Sequence, residues 1–152
     1  NFGAGKTDRI RKGIRAASFT SMLFGLLISI AVFVFAEPLM TLFIDTGETA
    51  VIAEGVRYLR IEGAFYYLIA ALFLLYGLYR ALGKPGMSVV LTIVSLGIRV
   101  ALAYALAPIP LFGVVGIWWS VPIGWLLADA LGLIYYLAKR KTLLKDSRAG
   151  AK

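Results

Sequence analysis

Of the 152 residues, 61% are hydrophobic without counting glycine, 16% are charged, and there is no cysteine and no histidine. A soluble domain holds about 45–50% apolar residues even with glycine included, so this composition excludes a disordered tail, a disulfide scaffold and a Cys/His zinc site, and sets the chain apart from an ordinary soluble enzyme. The formal net charge is +8, but eleven of the sixteen Lys and Arg fall in the first 15 and last 14 residues. Basic fringes around apolar blocks indicate a membrane protein with the lipid bilayer as partner, and no nucleic acid.

In chain order, the opening stretch 1–15 reads as a basic cytoplasmic loop. It starts on Asn1 rather than Met and has no signal-peptide pattern, so the expectation is a piece of a longer chain. Gly5-Lys6-Thr7 matches the end of a phosphate-binding loop. Such a loop joins a strand to a helix inside an α/β sheet, whereas here a basic run and an apolar span follow.

Four apolar spans come next. Residues 16–36 are 21 residues without a charge. As a helix they are ~31 Å long, close to the ~30 Å of a hydrocarbon core. The second span covers 61–82, the third 87–107 and the fourth 112–138. Backbone in lipid must satisfy itself, so spans of this length are helices. The predicted fold class is all-α integral membrane with four transmembrane helices.

The segments between them alternate in charge. Arg80 and Lys84 flank the 83–86 turn, the 108–111 turn carries no charge, and the 139–152 tail carries six basic residues against Asp146. The 37–60 segment holds Glu37, Asp45, Glu48 and Glu54 against Arg57 and Arg60. The positive-inside rule therefore puts both ends and the 83–86 turn in the cytoplasm, with 37–60 outside. Within that external loop, 49–60 reads as a short amphipathic helix.

Asn1-Phe2-Gly3-Ala4-Gly5-Lys6 resembles the cytoplasmic QN-x-GAGK stretch of the multidrug and toxic compound extrusion (MATE) transporters. Glu37-Pro38-Leu39-Met40, Tyr58-Leu59-Arg60-Ile61, Leu78-Tyr79-Arg80-Ala81-Leu82-Gly83-Lys84-Pro85, Ser95-Leu96-Gly97-Ile98-Arg99 and Gly116-Ile117-Trp118-Trp119-Ser120-Val121-Pro122 continue the resemblance in order. It implies a twelve-helix, two-lobed transporter of which this segment is helices nine to twelve, with the upstream helices of the same chain as partners. It also implies a multi-pass protein of the plasma (bacterial inner) membrane. Such a protein exports organic cations or other amphipathic compounds by antiport with H⁺ or Na⁺, without a cofactor. The alternatives are a lipid-linked sugar flippase of the same superfamily and a complete small four-helix membrane subunit. Catalysis has little support: there is no His, no Cys and no metal-ligand spacing.

Polar residues inside the spans are the candidate site, because mid-bilayer charges cost ~2.5–3.5 kcal/mol each on insertion scales. Counted from the inner ends of their spans, Arg99 lies ~18 Å and Asp129 ~14 Å deep. An Arg99–Asp129 ion pair is therefore expected, either as a structural pin or as a charge pair that rearranges in transport or binds substrate. Ser88, Thr92, Ser95 and Arg99 share one helix side. On the second span, Glu62, Tyr66, Phe73, Tyr76 and Arg80 share one direction. They read either as a cavity wall for a lipophilic cation or as interfacial anchors with packed aromatics. The sodium-coupled MATE members carry an acidic residue at the middle of the corresponding helix, which this span lacks. On the fourth span, Gly116, Ser120, Gly124, Ala128 and Gly132 recur every fourth residue, a pattern for close helix contact. Pro122 is expected to kink that span.

The loop charges generate a topology test in the full-length protein. Single cysteines replacing Lys84 and Lys145 should react with an impermeant thiol reagent only from the cytoplasm, and one replacing Glu48 only from outside. External labelling at position 84 overturns this orientation.

Overall fold

The computed structural model describes residues 1–149, with side chains through Leu144; Lys152 of the basic tail lies outside the described residues. The described chain is helical and contains no strand. The helices are α1 (Thr7–Val34), α2 (Ala36–Thr41), α3 (Thr49–Gly63), α4 (Tyr66–Ala81), α5 (Pro85–Leu106) and α6 (Gly113–Ala149). Three of them, α1, α5 and α6, are long and apolar enough to cross a membrane, and α3 with α4 forms a fourth candidate bent by 46°.

Several boundaries differ from the sequence reading, each for a physical reason. The opening stretch is not a loop to residue 15. A turn closes with Gly5 N–H donating to Phe2 O (3.0 Å) and Lys6 N–H to Asn1 O (3.0 Å), and α1 starts at Thr7. Lys and Arg are good helix formers, so the charges that end the apolar run do not end the helix. At 28 residues α1 is ~42 Å long and extends beyond a hydrocarbon core. For the same reason α6 runs past 138 through the basic residues Lys139, Arg140 and Lys141. It also continues through Pro122 as one helix.

The span expected over 61–82 is broken at 64–65. Residues 61–63 belong to the amphipathic α3, and α4 starts at Tyr66. A break inside lipid frees backbone N–H groups that water cannot reach. The Tyr67 N–H donates to Ser29 Oγ on α1 at 3.3 Å. Gly25, one turn earlier on α1, lets the helices meet at this level, since a methyl there would lie 2.8 Å from Ala70 Cβ and 3.0 Å from Tyr67 Cα. At its other end α4 closes with Gly83 at φ +68°. There Lys84 N–H donates to Tyr79 O (2.8 Å) and Gly83 N–H to Arg80 O (3.1 Å). This is the paired-bond stop that glycine in the left-handed region permits. Pro85 then occupies the first turn of α5, where a missing N–H is harmless.

Helix α6 packs most extensively on α5, and α4 packs on α1, α5 and α6. The core lies where α4, α5 and α6 converge: Leu72, Leu75, Tyr79, Leu91, Trp125 and Ala128, with Leu143 and Leu144 below. Tyr79 OH donates to Gly132 O at 2.5 Å, so the buried phenol is satisfied. Ser88 Oγ crosses to Tyr76 O on α4 at 3.2 Å. Thr92 Oγ1 lies 3.0 Å from Ser88 O of its own helix and 3.2 Å from Tyr76 OH on α4. The outer side of α1 exposes Phe19, Leu23, Leu27 and Ile30, an apolar face suited to lipid or to further helices.

The small-residue row of α6 lies at these contacts. Gly116 sits against Leu106, Ser120 and Ala128 are fully buried, and Gly132 faces Leu75 and Leu91. At Gly124 an added methyl would lie 2.7 Å from Ser95 O, a backbone atom that cannot move without shifting α5. Gly124→Ala should therefore destabilise the full-length protein by about 1–3 kcal/mol. Gly97→Ala, whose added methyl meets nothing within 4 Å, should be neutral or slightly stabilising. Thermal denaturation in detergent checks the pair, and equal melting temperatures would show that α5 and α6 do not depend on this contact.

Candidate functional site

The charged and aromatic residues gather at the end of the bundle that carries α3 and the 107–112 turn. On α3, Tyr58 OH donates to Glu62 Oε2 at 2.9 Å, one helical turn away. The Tyr58 ring meets Trp118 of α6 edge-on, with centroids 5.7 Å apart. Phe65 meets Trp119 at 5.5 Å and Tyr66 meets Trp125 at 6.3 Å, also edge-on. Edge-to-face pairs of this kind add attraction beyond area burial. They tie both sides of the α3–α4 break to α6.

Arg99 reaches into this cluster from α5. Its guanidinium carbon lies 6.0 Å from the centre of the Trp125 ring, within cation–π range. Its charge acts on Glu62 and on Tyr58. One carboxylate and one guanidinium thus face a shared aromatic surface made by Tyr58, Tyr66, Trp118 and Trp125.

The expected Arg99–Asp129 ion pair is not formed. Asp129 Oδ1 and Oδ2 are buried without a hydrogen-bond partner among the described residues, and so is Arg99 Nε. The reason is register. Arg99 packs beside Gly124, whose added methyl would lie 3.6 Å from Arg99 Cβ. Asp129 lies five residues further, ~7.5 Å along α6 and about 140° around it. Depths counted from the expected span ends missed this offset.

The α4 residues are also divided. Tyr66 belongs to the cluster just described. Tyr76 is held at α5, with its hydroxyl 3.2 Å from Thr92 Oγ1. Phe73 stacks edge-on against Tyr76 at 5.8 Å but is largely exposed. It lines a groove of about 1070 Å³ between α1 and α4, which continues to Arg9, Ser18 and Ser21 on α1. Arg80 is exposed at the opposite end from Glu62. The bend at 64–65 breaks what reads as one stripe in sequence. Tyr58 and Trp118 were absent from the sequence-derived site; the signal for Tyr58 was its four-residue spacing from Glu62. The Gly5-Lys6-Thr7 segment ends in the first turn of α1 with no preceding strand among the described residues.

Comparison with known proteins places this architecture. The MatE family model matches residues 1–105. A Bacillus subtilis protein, "Probable multidrug resistance protein YoeA", is 28% identical over 89% of this chain and 28% of its own length. The Thermotoga maritima "Probable multidrug resistance protein NorM" is 24% identical over 95% of this chain and 32% of its own. The Staphylococcus haemolyticus "Multidrug export protein MepA" is 30% identical over 82% of this chain and 27% of its own. The chain thus spans about a third or less of the length of these relatives. No solved structure matches significantly. With a family match over more than two thirds of its residues, on a helical bundle with apolar membrane-length helices, this chain belongs to the MATE family.

Proposed function

We propose that the chain is the C-terminal part of a multidrug efflux transporter that exports organic cations or amphipathic compounds by antiport with H⁺ or Na⁺. In this reading it lies in a bacterial inner membrane with both ends cytoplasmic. The observation that carries the proposal is the joint cluster of Tyr58, Glu62, Tyr66, Arg99 and Trp125. An aromatic surface with one carboxylate attracts a lipophilic cation. The Tyr58 hydroxyl holds the carboxylate in place when no substrate is there, and a substrate cation competes with Arg99 for the Trp125 face. Binding and release then become an exchange of cations at one aromatic face rather than the creation of a bare buried charge, which would be costly.

Asp129 supplies the second element. A buried carboxylate without a partner is unfavourable, so a cation has to accompany it at some stage of the cycle. A proton or a sodium ion would serve. Its separation from the Glu62–Arg99 cluster lets the driving ion and the substrate occupy different places in the same lobe.

Glu62→Gln should reduce export of a cationic dye about fivefold, the loss of roughly 1 kcal/mol of charge and cation–π attraction. Export of an uncharged substrate and protein abundance should change little. Equal loss for both substrates would show that Glu62 acts only in packing.

Asp129→Asn should leave membrane abundance near that of the parent but uncouple dye efflux from an imposed ion gradient in proteoliposomes. Since Arg99 and Asp129 are not partners, the stability losses of Arg99→Ala and Asp129→Ala should add to within about 0.5 kcal/mol. Full gradient-driven efflux by Asp129→Asn would remove Asp129 from the coupling step.

A further inference from the structure

The end of the bundle opposite Glu62 holds a cavity of about 420 Å³ between the first turns of α1 and the last described turns of α6. Its polar lining is Arg11 and Arg15 from α1 and Arg140 and Lys141 from α6, with Tyr136 and Ile14 on the inner wall. Arg11 and Arg15 are one turn apart, so they share a face. Among the described residues no acidic side chain lines the cavity. Four cations held around a common space repel each other, and the arrangement is relieved by an anion. Guanidinium groups match phosphate oxygens in a two-pronged fork, which favours a phosphate over a simple halide.

The position of the cavity says which phosphate. Arg15 immediately precedes the uncharged run that starts at Ala16, and Arg140 lies two residues beyond Ala138. The cations therefore stand at the level where apolar helix surface gives way to the polar membrane face, the depth of lipid head groups. Ile14 and Tyr136 line both this cavity and the large groove between α1 and α4. Beyond them the groove is bounded mainly by apolar residues such as Ala17, Phe24, Leu74 and Phe73. The basic cavity and the apolar groove thus adjoin at Ile14 and Tyr136.

From this continuity we propose that the α1–α6 cavity binds the phosphate of an anionic phospholipid, with an acyl chain lying in the α1–α4 groove. A soluble phosphate would satisfy the four cations but leave the groove unfilled. A zwitterionic lipid would fill the groove, but its own ammonium would face the same cations. The site uses residues apart from the Glu62 cluster, and it requires only that the helices span a membrane. It does not depend on the transport reading.

The test uses the full-length protein in lipid nanodiscs of phosphatidylcholine with a minor fraction of phosphatidylglycerol, and native mass spectrometry to count retained lipids. The parent should retain phosphatidylglycerol in excess of its share. Arg11→Gln, Arg15→Gln, Arg140→Gln and Lys141→Gln should each reduce that preference about fivefold. These side chains are exposed, so their loss does not threaten folding. Ala17→Phe, which fills the groove, should weaken retention of long-chain phosphatidylglycerol but not of a short-chain analogue. Equal retention of the two lipids by the parent, or unchanged preference in the charge variants, overturns the proposal. Displacement of phosphatidylglycerol by millimolar inorganic phosphate would assign the cavity to a soluble anion and overturn it as well.

Discussion

The backbone contact between Gly124 and Ser95 governs where Arg99 and Asp129 lie in this helical bundle. At that level α5 and α6 approach so closely that an added methyl would lie 2.7 Å from a carbonyl oxygen. A contact this tight admits one register and not its neighbours, because a slip of one residue would bring Trp125 or Ile123 against the same carbonyl. Once Gly124 is set against Ser95, Arg99 lies one turn along α5 beside the same glycine. Trp125, the next residue on α6, comes under the guanidinium. Asp129, four residues beyond Trp125, is carried a little over one turn, ~6 Å, further along the helix. The absence of a side chain at one position thus decides both a cation–π contact and an unpaired carboxylate.

A second constraint acts at the α3–α4 break. Helices in lipid are continuous because interruption exposes N–H and C=O groups to hydrocarbon. The interruption at 64–65 persists here because Ser29 accepts the Tyr67 N–H and because Gly25 lets α1 come near enough for it to do so. With the break satisfied, α3 is free to point along a different axis from α4. That 46° change turns Glu62 and Tyr58 toward α6 and Arg99 instead of down the α4 face. The two constraints converge: the glycine contact delivers Arg99, and the break delivers Glu62.

The long apolar helices were readable because a hydrocarbon core demands length and apolarity, and both are properties of sequence alone. Their ends were not. Lys12, Arg15, Lys139 and Arg140 end the apolar runs but not the helices, because Lys and Arg propagate a helix well. The break at 64–65 was hidden for a different reason. Gly63-Ala64-Phe65 contains no proline, and the group that satisfies the freed backbone, Ser29, is 38 residues away. The Arg99–Asp129 pairing failed on register, since depth from an assumed end carries an error of a turn or more and says nothing of azimuth. The small-residue row was readable as a pattern on one side of α6. Which of its members faces a backbone atom, as Gly124 does, and which faces flexible Leu tips, as Gly132 does, depends on the partner helices.

The distribution of charge that results separates the lobe into three electrostatic zones. At the α3 end an acid and a guanidinium share an aromatic surface, so an arriving cation meets attraction without meeting an uncompensated field. At the other end four cations surround a cavity with no acid in its described lining, a field that draws anions and repels cations. Between them Asp129 is the single acid buried without a partner among the described residues. Positive charge is therefore disfavoured in the α1–α4 groove by Arg9 and the four cations beyond it. A group lacking that charge has no such barrier. The fold in this way assigns opposite charge preferences to an aromatic surface at the α3 end and an apolar groove at the other, and the cations beside the groove stand near helix ends, where charge is least costly to keep.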